Sequence, residues 1–170
     1  DDYPNIKEYY TEEEWDKLRK DDGHIYWIQQ FGHIYGEEKA TTHNDEAFWI
    51  QARVLEWAGY PEVKTMDQYF DLIEAYQEAN PTMEDGTENI PYTILCDDWR
   101  YFCLENAPMF LDGYPNDGCV MVDTDKLQVM DYNTSPTAVK YFQKLNEEYK
   151  KGIIDPESFT QTYDEYIAKL

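Results

Sequence analysis

The sequence predicts an α/β fold, richer in helix than in strand, and three observations predict it. Residues 47–95 alternate short apolar runs with capped amphipathic stretches. Residues 119–131 hold two β-prone runs around a polar turn, and residues 136–151 form a long stretch of helical period. At each junction a cap or stop residue agrees with the change in hydrophobic period, and such local agreement marks real element boundaries.

Residues 4–10 form a polar lead-in. Thr11 followed by Glu12, Glu13 and Glu14 is a capping-box start with acids in the first turn, so a helix is expected to about Lys20. Gly23 ends that region, and the aromatic-rich run 24–28 reads as a strand. Residues 31–44 show little periodicity. The apolar run 47–50 reads as a strand entering a helix over 51–58, which Gly59 stops. Thr65 then caps a second helix with an apolar face of Met66, Tyr69, Phe70, Ile73, Ala75 and Tyr76. Asn80 and Pro81 stop that helix, and an acidic turn leads to a strand expected over 90–95.

Asp97 and Asp98 are expected to cap a helix over 99–106, bounded by Pro108. The turn cluster 113–118 precedes strands over 119–123 and 127–131, joined as a hairpin by 124–126. Ser135 and Pro136 open the long helix, with Val139, Phe142, Leu145, Asn146 and Tyr149 assigned to one face. Lys150, Lys151 and Gly152 suit its C-terminus. Residues 160–170 read as a last helix. No internal repeat or low-complexity linker interrupts the chain.

Composition narrows the function. Thirty-six acidic residues against 14 Lys and Arg give a net charge of −22 over 170 residues. That balance excludes a phosphate-backbone binder, hence nucleic acid as a partner, and argues against an anionic membrane surface. Dispersed acidity suits a secreted protein that takes neutral or cationic ligands. Aromatic residues make up 16% of the chain, more than one small core needs, so an aromatic-lined binding surface is compatible with it. Cys96, Cys103 and Cys119 show no C-x-x-C pattern and read as buried thiols, with a bridge involving Cys119 left open. His24, His33 and His43 lack zinc spacing.

Four motifs in order carry a resemblance. The run from Trp49 to Phe70, W-I-x-x-x-V-L-x-x-A-G-Y-P-x-x-K-T-M-D-x-Y-F, follows the D-G-x-I-Y of Asp22 to Tyr26. Downstream come the helix from Tyr141 and the K-G-x-I-D-P of Lys151 to Pro156, continuing through Glu157 and Phe159. Together they resemble extracellular solute-binding proteins of ABC importers, closest to the lipoprotein-anchored sugar binders of Gram-positive bacteria. The resemblance covers nearly the whole chain. It implies part of a two-lobed, periplasmic-binding-protein-like fold, with residues 1–48 as the tail of lobe one and 49–170 as much of lobe two. It also implies a carbohydrate ligand in an interlobe cleft, permease subunits as partners, a monomer, and a cell-surface location. No signal-peptide pattern, lipid-attachment Cys or transmembrane run occurs in the sequence, so an internal piece of a longer protein is expected.

Pyranose rings present C–H faces to aromatic planes, and their hydroxyls want carboxylates, amides and guanidinium groups. The segment 97–102 supplies both at an expected strand-to-helix junction, where ligands of open α/β sheets sit. The resemblance assigns ligand contact to Asp98 and Trp99, with Tyr101 a looser match; a cap and a packing residue are the structural alternatives. Asn116 and Asp117 are further candidates, although turn chemistry alone accounts for them. Trp49 lies where the chain would cross between lobes and reads equally as core or ligand residue. Trp27 and Phe31 are lesser candidates, whereas Trp15 and Trp57 read as packing residues.

Relatives with a calcium loop place it at 80–89, where Asn80, Glu84 and Glu88 are the candidate ligands here. Pro81 and Met83 occupy ligand positions of that loop, so the segment reads first as a solvated acidic turn, and no cofactor is expected. No hydrolase, P-loop or dinucleotide fingerprint occurs, and no enzymatic activity is expected. Two rivals remain: a carbohydrate-active hydrolase built on an acid pair, which would release cleaved glycan, and an acidic surface-interaction domain, which would bind no small molecule.

Overall fold

The computed structural model describes residues 4–8, 10–28, 33–34, 37–38, 47–114, 120–123 and 125–170. The chain forms two compact units, Asp1–Asp45 and Glu46–Leu170.

In the first unit, α1 (Pro4–Glu8) occupies what the sequence presented as a lead-in. Proline suits a first helical turn because its missing N–H is unpaired there in any case. α2 (Glu12–Leu18) starts at the expected capping box: Glu14 N–H donates to Thr11 Oγ1, and the Glu14 carboxylate accepts from Thr11 N–H at 2.7 Å. Trp15 packs against Tyr10, ring centroids 4.8 Å apart, and its indole N–H donates to Lys7 O of α1. Residues 24–28, expected to be a strand, form none and pair with no strand among the described residues. β1 (His33–Ile34) and β2 (Glu37–Glu38) form a short antiparallel pair within the stretch expected to be irregular.

In the second unit, α3 (Ala52–Ala58) ends at Gly59, which sits at φ 75° where a side chain would be strained. α4 (Met66–Ala79) follows, capped by Thr65 Oγ1 accepting from Gln68 N–H. Its buried stripe is Tyr69, Phe70 and Ile73, as the periodicity implied, while Ala75 is exposed. Against that stripe pack Ile94, Leu104, Ala107, Tyr141, Leu145, Ile153 and Ile154. Phe70 is fully buried and meets Tyr92 edge-on at 5.3 Å; removing such a ring from water contributes about 2–3 kcal/mol. Phe48 joins this core through Tyr69 and Phe110.

The two central strands expected at 47–50 and 90–95 are extended segments without ladders. Tyr92 makes a single parallel bridge with Ile154. Side chains replace the missing neighbour at Ile94, whose N–H donates to Ser158 Oγ at 3.1 Å and whose carbonyl accepts from Gln161 Nε2 at 2.9 Å. The buried backbone is thereby satisfied without a sheet. The 47–50 segment is fixed by the Tyr69 hydroxyl donating to Trp49 O at 2.8 Å.

Residues 98–101 form a 3-10 turn, continued by α5 (Phe102–Glu105) and α6 (Ala107–Leu111). Pro108 therefore does not end the helical region as expected. It lies in the first turn of α6, where proline is tolerated. β3 (Met121–Asp123) and β4 (Gln128–Met130) form the expected hairpin, Met121 opposite Met130. Met109, Met121 and Tyr132 make a second small core under it.

α7 (Pro136–Lys151) has the expected ends, Ser135 capping and Gly152 closing at φ 81°. Its buried face differs from the sequence assignment. Ala138, Tyr141, Leu145 and Glu148 are buried, while Val139, Phe142, Asn146 and Tyr149 are exposed. Tyr141 satisfies its hydroxyl on Leu104 O, and the Glu148 carboxylate meets Lys144 and Lys151. A 3-10 turn over Pro156–Phe159 leads to α8 (Tyr163–Ala168), with a capping box between Thr162 and Glu165. The expected last helix thus begins three residues later than 160. None of the described helices is long and apolar enough to cross a membrane.

Candidate functional site

The segment 97–102 turns from an extended strand-like approach into the 3-10 turn through Asp98, at φ 51°. Asp tolerates this left-handed conformation better than most residues, because its short polar side chain bonds locally. Neither aspartate caps its own turn through a side-chain hydrogen bond, contrary to expectation. Asp97 instead accepts from the Tyr163 backbone N–H at 3.2 Å, which ties the elbow to the start of α8.

The elbow raises its rings to the surface. Trp99 is 65% exposed and Tyr101 50% exposed, with the Asp98 carboxylate exposed between the approach and the turn. Trp99 stacks on Phe102, centroids 5.6 Å apart and planes 20° from parallel. The Arg100 guanidinium carbon lies 4.7 Å from the Trp99 ring and 4.4 Å from the Tyr163 ring. Ring stacking on Phe102 and one cation–π contact hold the indole without burying it, and a second cation–π contact holds the guanidinium against Tyr163.

A polar network ties Thr93 and Ile94, which lead into the elbow, to residues 155–169. The Asp155 carboxylate accepts from Lys169 Nζ at 2.7 Å, Glu157 N–H at 2.9 Å and the Thr93 hydroxyl at 3.1 Å. Burial alone raises the Asp155 pKa, but those donors outweigh it and hold the carboxyl below its usual value. Lys169 also meets Glu157 and Gln161. Nearby, burial pushes the Cys96 thiol up to about 11, so it is a protonated, unreactive group at neutral pH. Cys96 and Cys103 are half-buried thiols and form no disulfide; Cys119 lies outside the described residues.

Trp49 is 76% exposed, and among the described ring contacts none pairs it with Trp99. Asn116 and Asp117 lie outside the described residues, as does Phe31. Trp27 is exposed, with the Lys20 ammonium over its ring at 3.8 Å. Trp57 is half exposed and meets Tyr76 edge-on.

In the 80–89 turn, Asn80 Nδ2 donates to Tyr76 O, and its carbonyl accepts from Asn89. Asp85 accepts from the Thr87 hydroxyl and N–H, which holds its carboxyl below the usual value. Glu84 and Glu88 point to solvent. Among the described residues no group of three or more His, Cys, Asp or Glu side chains converges as a metal site.

Arg100, which the sequence offers only as part of the segment 97–102, and Tyr163, which it does not single out, complete the elbow. A lone arginine between two aromatic residues is the available signal for the first. Tyr163 has none, because its ring reaches the elbow only through the fold. Chemically, the arrangement offers an exposed indole, a carboxylate acceptor and a guanidinium donor on one short segment.

No family model matches the chain, and no solved structure matches it. A curated relative, the fructooligosaccharide ABC transporter substrate-binding protein FusA of Streptococcus pneumoniae serotype 4, is 29% identical over 176 aligned positions. The match covers 98% of this chain and 31% of the relative, so the chain spans about a third of that protein's length. The resemblance carried by the four motifs is therefore borne out: the chain is similar to part of the substrate-binding protein of an ABC transporter from a Gram-positive bacterium.

Proposed function

We propose that this chain is part of the extracellular solute-binding component of an ABC importer, and that it contacts a carbohydrate, in particular an oligosaccharide, through the elbow at 98–101. Similarity over 98% of the chain to a fructooligosaccharide-binding protein carries this reading, and the relative's role is binding rather than catalysis. The exposed Trp99 indole on its fixed elbow supplies the contact chemistry.

In this reading Trp99 stacks on the C–H face of a sugar ring, Asp98 accepts from hydroxyls, and Tyr101 adds a second ring edge. Trp49 lines the crossing between two lobes, with residues 1–48 in the first and 49–170 in the second. Asn116 and Asp117 add hydroxyl contacts in this reading. Ligand closes the lobes by hinge motion, and permease subunits engage the closed monomer at the cell surface, where a lipid anchor holds it. No bond is made or broken.

Thermal shift of the full-length protein against neutral oligosaccharides tests this. A fructooligosaccharide or a related glycan at about a hundred times its Kd is expected to stabilise the fold by about 2.7 kcal/mol. Absence of any shift across the panel contradicts the reading, and cleaved products in mass spectrometry would replace it with a hydrolase.

A further inference from the structure

We infer that Arg100 is the hydrogen-bond donor through which the elbow reads neighbouring hydroxyls of a neutral sugar, and that Tyr163 is the residue that positions it. The inference rests on the carbohydrate-binding reading above and adds a second class of contact to the ring stacking.

The observation behind it is a cation without a carboxylate. The chain has 36 acids and 14 bases, so most cations are expected to find an anion. Lys126, Lys144, Lys151 and Lys169 in the same unit each do, at 2.7–3.2 Å, whereas among the described residues Arg53, Lys140 and Lys150 form no such pair. Nor does Arg100. Among the described residues its guanidinium meets only the Trp99 and Tyr163 rings. A cation–π contact uses the ring faces and leaves the N–H groups unengaged. The guanidinium carries five such donors in a fixed fork, suited to two acceptors at once.

Placement makes the fork usable. Arg100 is half-buried between its rings, and the exposed Asp98 carboxylate and Trp99 indole flank it in the same turn. A hydroxyl both donates and accepts, so a vicinal diol over the indole finds a donor in Arg100 and an acceptor in Asp98. The net charge of −22, with two aspartates beside the arginine, repels an anionic ligand and favours a neutral one.

Tyr163 fixes the fork from behind. Its backbone N–H is held by Asp97, and the Thr162–Glu165 capping box fixes the turn it stands on, with Thr162 N–H on Glu165 at 2.7 Å. The residues that open the elbow thus also place the ring that holds Arg100.

Calorimetric titration of the full-length protein tests this with two probes: a neutral fructooligosaccharide, and the same compound with a terminal hydroxymethyl oxidised to a carboxylate. Arg100→Lys keeps the charge and the ring contacts but loses the fork. It is expected to weaken the neutral probe about tenfold or more without changing the melting temperature. Tyr163→Phe is expected to bind as wild type, and Tyr163→Ala to weaken binding as Arg100→Lys does. Unchanged affinity in Arg100→Lys, a loss that only follows a fall in melting temperature, or tighter binding of the oxidised probe would each overturn the inference. If Trp99→Ala weakens the neutral probe while Arg100→Lys leaves it intact, the inference fails and the carbohydrate reading stands. If the wild type binds no neutral oligosaccharide, both fail.

Discussion

The Ser158 hydroxyl accepts the Ile94 backbone N–H at 3.1 Å, 64 residues along the chain, and so does the work of a neighbouring β-strand. Both residues are buried, Ser158 completely. Deleting the acceptor strands a buried donor, which costs the desolvation of that N–H. Ser158→Ala is therefore expected to lower unfolding free energy by about 1–3 kcal/mol in urea titration. A loss below a few tenths would show that Ile94 finds another acceptor.

Lys169 is the second anchor of that region. Its Nζ lies 2.7 Å from Asp155, whose side chain is nearly inaccessible. Lys169→Met leaves a buried carboxylate short of its cation, and about 3 kcal/mol of destabilisation is expected at pH 7. The pH dependence has a definite sign. The folded Asp155 pKa lies below its unfolded value: burial raises it, and the Lys169, Glu157 and Thr93 donors lower it by more. Its contribution is therefore complete above the unfolded value, about 4, and fades as pH falls through the lower folded value. The gap between wild type and Lys169→Met should shrink from pH 7 to pH 3 in parallel denaturant titrations. A constant gap would place the effect of Lys169 in packing instead.

Backbone strain at Asp98 gives a separable effect. Glycine at φ 51° carries no Cβ penalty, so Asp98→Gly relieves strain while removing the exposed carboxylate. Stability is expected to stay level or rise by up to about 1 kcal/mol, with weaker binding of a neutral oligosaccharide. Paired thermal melts and titrations separate the two. Equal loss of stability and affinity would mean that the carboxylate holds the elbow rather than the ligand.

Local signals carried most of the helices. Thr11, Thr65 and Ser135 cap where the sequence places caps, and Gly59 and Gly152 end helices at positive φ. What failed was non-local. α7 carries two overlapping apolar stripes that share Leu145, and the sequence points to the one with Val139, Phe142, Asn146 and Tyr149. The fold buries Ala138, Tyr141 and Leu145 together with Glu148. A glutamate in the buried stripe argues against that face on hydropathy, and only the lysines at 144 and 151 make it tolerable. The apolar runs at 47–50 and 90–95 read as strands because period and composition describe an extended, half-buried chain, not its hydrogen-bond partners. At the elbow, the resemblance named Asp98, Trp99 and Tyr101 as ligand candidates, and the structure leaves all three exposed. The Arg100–Tyr163 contact was not legible, since the two lie on separate elements that the fold brings together through bonds such as that from Tyr163 N–H to Asp97.

Calorimetric titration of Trp99→Ala in the full-length protein, with a fructooligosaccharide that binds the wild type, tests the account most directly. Truncating an exposed stacking ring is expected to cost about 1–3 kcal/mol of binding and to leave the melting temperature close to wild type. Wild-type affinity in that variant would contradict it.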